Sequence, residues 1–372
     1  MFVNSKKIIK IMNEIAPEKL AENWDNVGFL VGNEDSEVDR VMVALEVTET
    51  VVNEAIQNNI DLIICHHPLI FKPMKTVTDS DPIGRIVKSL IKHDIGLYAA
   101  HTNLDIADGG TNDYVAELLG LNKVTGLEKT SSNKFYKLAV YVPADNLDDV
   151  TKAAGNAGAG HIGEYSDCAF ACEGEGQFRP LAGSDPYIGT HGELERVKEH
   201  KLEVLVGGEN LNKVIQAVLK AHPYEVPAYD VWQLDNEIES FYLGRYGLVE
   251  GKVNLVDYAG FVQEKLAVKS LKYVGDPERT IRKVAICTGA GADVMKSAVR
   301  NGCDLLITGD VKYHEAQTAI QLKLSLIDAG HFETEQIFVK RLSEKLKKAF
   351  AYKEYDVVVI ESKEEENPFK TL

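Results

Sequence analysis

The chain has 372 residues, 41 of them basic and 57 acidic, for a formal net charge of −16. That length predicts about two domains. The acidic balance excludes a nucleic-acid binder that works by phosphate neutralisation, and a polybasic membrane anchor with it. No apolar run approaches the ~20 residues that span a bilayer. The five cysteines, Cys65, Cys168, Cys172, Cys287 and Cys303, show no framework spacing. Together these features predict a cytoplasmic protein with reduced thiols.

Residues 1–23 read as an amphipathic helix, with Ile8, Ile9, Met12 and Ile15 on one face, and not as a secretory signal. Strands then alternate with helices: strand 41–45, helix 49–58, strand 62–65, helix 83–93 and strand 97–100. That rhythm predicts βαβ units and a mostly parallel sheet. Residues 131–240 change character and read strand, helix, two strands, helix, strand, which is the split-βαβ, ferredoxin-like order. The last third returns to the first pattern: strand 284–287, helix 292–300, strand 305–308, helix 315–322 and strand 324–328.

The two ends also match residue for residue. Laid without a gap, residues 41–68 meet 284–311 with identities at Val41/Val284, Val51/Val294, Ala55/Ala298, Asn58/Asn301, Asp61/Asp304, Leu62/Leu305 and Ile64/Ile307. The next strand aligns residues 97–101 with 327–331, placing His101 opposite His331 and Asp105 opposite Glu335. Any two βαβ units share an apolar pattern; a shared His-x3-acid points further, to internal duplication. The expected architecture is therefore a duplicated, mostly parallel α/β domain (1–130 and 241–372) interrupted by a ferredoxin-like α+β domain (131–240).

Chemistry concentrates just past three predicted strands, where open parallel sheets gather ligands. His66 and His67 follow the strand ending at Cys65. Alone, such a pair reads as one core and one solvated histidine, since a metal site needs three or four converging ligands. His101 with Asp105, and His331 with Glu335, shift that balance: each imidazole and carboxylate stand one turn apart. Imidazole with carboxylate and no thiolate suits Zn, Fe, Mn or Co. Six donors exceed one tetrahedral shell, so the pattern predicts two divalent ions ~3.5–4 Å apart sharing a carboxylate. Repeat two has Gly309-Asp310 where repeat one has His66-His67, so the site is expected to be only partly symmetric. His314 reads either as a proton carrier near the cavity or as a solvated helix start.

The run Gly158-Ala159-Gly160-His161-Ile162-Gly163 fits G-x-G-x-x-G formally. It closes a helix where a dinucleotide loop must open one, so it reads as a turn.

His66-His67-Pro68, Ala100-His101-Thr102-Asn103-Leu104-Asp105, Gly109-Gly110-Thr111-Asn112-Asp113 and Gly330-His331-Phe332-Glu333-Thr334-Glu335, with Trp24-Asp25-Asn26-Val27-Gly28 and Gly244-Arg245-Tyr246-Gly247, resemble the Nif-three-like family. Its members are often named GTP cyclohydrolase 1 type 2 homologs. The resemblance implies dinuclear metal ligands at His66, His67, Asp105, His331 and Glu335, with His101 beside the site. It implies an insert similar to PII and CutA trimers, and a toroidal homohexamer. Glu46 stands where the family usually carries Asp.

Two function classes remain. One is a metal-dependent hydrolase of a nucleotide-type small molecule, with His101 and His314 as candidates for proton transfer; the family name implies hydrolytic opening of the guanine ring of GTP. No Walker loop is present. The other is a non-catalytic metal-binding regulator or chaperone whose insert senses a small molecule.

Overall fold

A computed structural model describes residues 3–370. The chain runs through β1 (Gly28–Val31), β2 (Arg40–Ala44), β3 (Leu62–Cys65), β4 (Gly96–Ala99), β5 (Asn122–Ser132), β6 (Phe135–Pro143), β7 (Ala169–Phe178) and β8 (Glu195–Gly207). It continues through β9 (Tyr229–Leu234), β10 (Ser240–Asn254), β11 (Lys272–Val274), β12 (Thr280–Ile286), β13 (Leu305–Thr308), β14 (Ser325–Asp328) and β15 (Val358–Glu361). Two compact units result: Met1–Ser131 with Phe241–Leu372, and Ser132–Ser240.

The larger unit holds two sheets, one built around each repeat. One has the order β1-β4-β3-β2-β15, the other β11-β14-β13-β12-β10-β5. In each, three parallel strands from one repeat stand beside an antiparallel first strand, β1 against β4 and β11 against β14. The outer side of β2 is taken by β15 in parallel, and that of β12 by β10 antiparallel. The outer sides of β2 and β12 are therefore both filled.

Pairing supports the duplication and corrects its third strand. Val41 pairs with Leu62 as Val284 pairs with Leu305. Ala99 pairs with Cys65, however, and Asp328 with Thr308, so Asp328 corresponds to Ala99 and not to Tyr98. The compensating extra residue is Gly330, at φ 86° in the left-handed region that favours glycine.

Alternating residues fill both faces of each sheet, as strands buried on two sides require. In the first sheet Val41, Val43, Leu62 and Ile64 pack with Ile8, Ile11 and Met12 of helix Ser5–Ile15 and with Phe338 and Leu342 of helix Ile337–Tyr352. On the other face Met42, Ile63 and Leu97 meet Val51, Ala55, Ile86 and Leu90 of helices Glu49–Gln57 and Pro82–Lys92. The second sheet repeats this with Val284, Leu305 and Ile327 on one face and Ala285, Leu306 and Leu326 on the other.

The smaller unit is an antiparallel sheet of order β7-β8-β6-β9, the split-βαβ layout. Its helices, Leu147–Asn156 and Leu211–Ala221, bury Val150, Ala154, Val214 and Val218 against Leu138, Val140 and Val142. Gly158 and Gly160 take positive φ in the turn that closes the first of these helices.

Candidate metal centre

Three strand ends deliver the donors. Past β3 the ladder continues for two residues, His66 N–H to Ala44 and His67 N–H to Leu45, which fixes both backbones while their side chains diverge. Past β4, His101 opens the short helix Thr102–Ile106, and Asp105 lies one turn on, its N–H bonded to the His101 carbonyl. Past β14, Gly330 turns the chain into helix His331–Glu335. Gly289 faces this helix at φ 65°, and a Cβ there would lie 2.2 Å from Glu335 Oε1. The carboxylate occupies the space that a side chain would take.

The imidazoles are oriented from behind. His66 Nδ1 donates to the Ala100 carbonyl at 2.8 Å, and His67 Nδ1 to Glu46 Oε1 at 2.6 Å. His101 Nδ1 donates to Asp25 Oδ1 at 2.9 Å, and His331 Nδ1 to Asp310 Oδ2 at 2.7 Å. Carbonyl and carboxylate oxygens only accept, so each Nε2 is left to take a proton or a cation.

These nitrogens converge with the two carboxylates. His67 Nε2 and His331 Nε2 lie 2.9 and 3.0 Å from Glu335 Oε2 and 3.4 Å from each other. His66 Nε2 lies 3.7 Å from both Asp105 Oδ2 and Glu335 Oε1. His66 Nε2, Asp105 Oδ1 and Glu335 Oε2 are buried without a hydrogen-bond partner. Orphaned buried donors and acceptors on this scale are costly in an apolar setting and are what a cation satisfies. Three groups bring their donor atoms within 4.8 Å of one another: His66, Asp105 and Glu335; His67, His331 and Glu335; and His66, His67 and His101. The donor set fits divalent ions, with Glu335 common to two of the groups.

The chain matches the Duf34/NIF3 (NGG1p interacting factor 3) family over residues 3–368. It belongs to that family. A Halalkalibacterium halodurans protein named GTP cyclohydrolase 1 type 2 homolog is 42% identical over 366 residues, 98% of each chain. The Bacillus subtilis protein of the same name is 42% identical over 370 residues, 100% of this chain and 99% of its own. The crystal structure of a Bacillus cereus protein related to NIF3 covers 100% of both chains at 39% identity and a TM-score of 0.90.

Electrostatics in this NIF3-family site follow from burial set against opposite charge. Burial opposes ionisation of Glu335, but His331, His66 and His67 outweigh it and hold the carboxyl well below its usual range. Burial likewise lowers His67, yet Glu335 and Glu46 raise it to about 10. Glu335 foremost lifts His331 to about 9 against burial. Asp105 is pushed up by burial, with Glu335 adding to the effect. Asp25 is held down at about 2, because bonds from His101 and Thr102 exceed the cost of its burial.

All five residues expected as ligands meet here. His101, expected beside the site as a proton carrier, stands within one of the donor groups. His314 is exposed at the start of helix Tyr313–Gln321, packs edge-on against Tyr313 at 5.3 Å, and joins none of the donor groups found among the described residues. Asp25 and Asp310 were not anticipated as orienting groups, although Asp25 lies in the opening motif and Asp310 sits at the duplicated position of His67. Beside Asp310 opens a cavity of about 470 Å³, also lined by Asp293, Lys312 and Glu315. Among the described residues, no helix is long and apolar enough to cross a membrane.

Proposed function

We propose that this chain is a dinuclear divalent-metal hydrolase acting on a nucleotide-type small molecule. The observation that carries the reading is the 3.4 Å approach of His67 Nε2 and His331 Nε2 beside one shared Glu335 oxygen. Each ring has its Nδ1 proton committed elsewhere, so the two Nε2 atoms meet at a point that only positive charge, protons or a metal ion, can satisfy. His66, Asp105 and Glu335 would hold one ion; His67, His331 and Glu335 the other. Zn, Fe, Mn and Co all suit this nitrogen and oxygen set. Bound there, such ions supply Lewis acidity and lower the pKa of water towards ~7.

The chain's own residues would do the rest. Glu46 and Asp310 fix the rings of His67 and His331. His101 takes up a proton at Nε2, and the ionised Asp25 behind it balances the charge the ring acquires. The nucleotide class is supported by the name its relatives carry, GTP cyclohydrolase 1 type 2 homolog.

Elemental mass spectrometry on protein purified without added metal or chelator tests the reading, beside His331→Ala and Glu335→Ala. Near two ions per chain are expected in the parent, with clear loss in both variants. No metal after anaerobic reconstitution with Zn, Mn or Fe would overturn it. Two ions with no turnover of GTP, other nucleotides or phosphoesters would favour the non-catalytic binder.

A further inference from the structure

Trp24 is 58% exposed and Phe71 44% exposed, yet both are held from either side. Asp25, next to Trp24, is anchored by His101 Nδ1 at 2.9 Å, by the Thr102 N–H at 3.1 Å and by the Thr102 hydroxyl at 2.5 Å. Asn26 donates its side-chain amide to the carbonyl of Ile70, the residue before Phe71. The segments carrying the two rings are thus tied to each other and to the His101 segment. Their ring centroids are 5.8 Å apart, tilted by 54°. Trp24 meets His101 edge-on at 6.0 Å, and His101 lies 5.1 Å from His66 and 5.4 Å from His67.

Two large rings kept in solvent forgo the burial energy that turning inward would gain. Exposed aromatic surface at the rim of a polar centre is binding surface. The Phe71 segment continues with Lys72 and Lys75, both exposed, in a chain of net charge −16. Ring faces beside ammonium groups match a compound that is both planar and anionic. Stacking accepts any nucleobase, because every base presents a π-face. An aliphatic phosphoester would use the cations and leave the rings idle.

We propose that Trp24 and Phe71 form a stacking subsite for the planar base of a nucleotide substrate, with Lys72 on the same segment for its phosphate. This inference rests on the nucleotide reading above and names the contact that selects it.

The chain has two tryptophans, so Trp232→Phe, a change in the other domain, leaves Trp24 as the sole indole. Titrating that full-length variant with guanosine monophosphate should quench its fluorescence saturably, while ribose 5-phosphate should not. Calorimetry should show Phe71→Ala and Trp24→Ala each weakening guanosine monophosphate about tenfold, with Trp24→Phe retaining most of the affinity. Lys72→Ala should weaken the monophosphate several-fold and spare guanosine. Equal quenching by ribose 5-phosphate, or no saturable quenching, overturns the subsite. So does unchanged affinity in both alanine variants accompanied by a change of oligomeric mass, which would make the pair an interface between copies. Base binding without turnover would leave the subsite standing and remove the hydrolase reading. Turnover of GTP with an unaltered KM in Phe71→Ala would do the reverse.

Discussion

Asp310 accepts a 2.7 Å hydrogen bond from His331 Nδ1, and it stands in the second repeat where His67 stands in the first. Both residues lie two positions past the middle one of their repeat's three parallel strands, His67 after Cys65 and Asp310 after Thr308. One copy of this position thus carries a donor to the centre, and the other carries the group that orients a donor. Asp310→Ala should therefore lower affinity for one ion about 10–100-fold, the usual cost of losing such a partner. The ion at His66, Asp105 and Glu335 should stay. Competition with a chelator, read by elemental analysis, distinguishes one ion lost from two lost, and equal loss of both would contradict this division.

Protons and metal should compete for the same nitrogens. His67 is raised to about 10 and His331 to about 9, so without metal both rings are protonated at neutral pH. Metal loading near pH 7.5 should then release close to two protons per chain, measurable in weakly buffered solution with an indicator dye. The same shifts give the metal-free fold a definite pH dependence. Folded pKa values above the unfolded 6.5 mean that the native state binds more protons across that window, so stability falls as pH rises. The contribution is complete below about 6.5 and lost as pH passes through 9 and 10. The Tm of chelator-treated protein should fall over this range, while metal-loaded protein should vary much less. A Tm that rose with pH in the chelator-treated sample would reverse the sign and refute the account.

Much of this centre is legible before any coordinates, because its ligands follow strand ends at one-turn spacing, as in His101 with Asp105 and His331 with Glu335. Local spacing is what periodicity can read. The orienting carboxylates obey no such rule: Asp25 and Asp310 lie 76 and 21 residues from the imidazoles they serve. Completing the two sheets took β15 and β10, which arrive from outside either repeat. Gly330 was invisible to the alignment because one extra residue after a strand leaves the apolar pattern intact. His314 entered the candidate set only through its place past a strand, and it stands exposed in the first turn of a helix, two residues beyond Lys312.

Glu46, one methylene longer than the aspartate that the family resemblance leads one to expect, has a defined task. Its Oε1 holds His67 Nδ1 at 2.6 Å, while its own backbone N–H is held by Glu365 Oε1 at 2.7 Å. The backbone is thereby pinned, so a shorter side chain cannot follow the ring. Glu46→Asp should weaken metal binding about as much as Glu46→Ala, roughly 10-fold or more, whereas Glu46→Gln keeps an accepting oxygen and should cost less. Metal dissociation constants for the three variants check the ranking. If Glu46→Asp matched the parent, the pinned backbone would be the faulty step.

Arg245 is 4% exposed and serves six oxygens at once. Its Nε meets Asp113 at 2.7 Å, and its Nη1 meets the Tyr242 and Gly244 carbonyls at 2.7 and 3.0 Å. Nη2 reaches Ile106 and Ala107 at 3.2 Å, with Asp108 at 3.5 Å. Ile106 and Ala107 end the helix that carries Asp105, so a guanidinium from β10 in the second sheet closes a ligand segment of the first repeat. Removing it leaves several carbonyls without this donor, and Asp113, which is partly exposed, keeps only the Gly109 N–H. Arg245→Met should cost about 3 kcal/mol or more, since each buried carbonyl left unsatisfied costs about 1–3 kcal/mol. Arg245→Lys should rescue little, because one ammonium cannot span acceptors laid out for a planar fork. Urea unfolding of the metal-free forms gives the stability loss, and metal content at low denaturant shows whether Asp105 keeps its place. A loss below about 1 kcal/mol, the scale of an ordinary surface ion pair, would mean that this guanidinium is not what secures the segment.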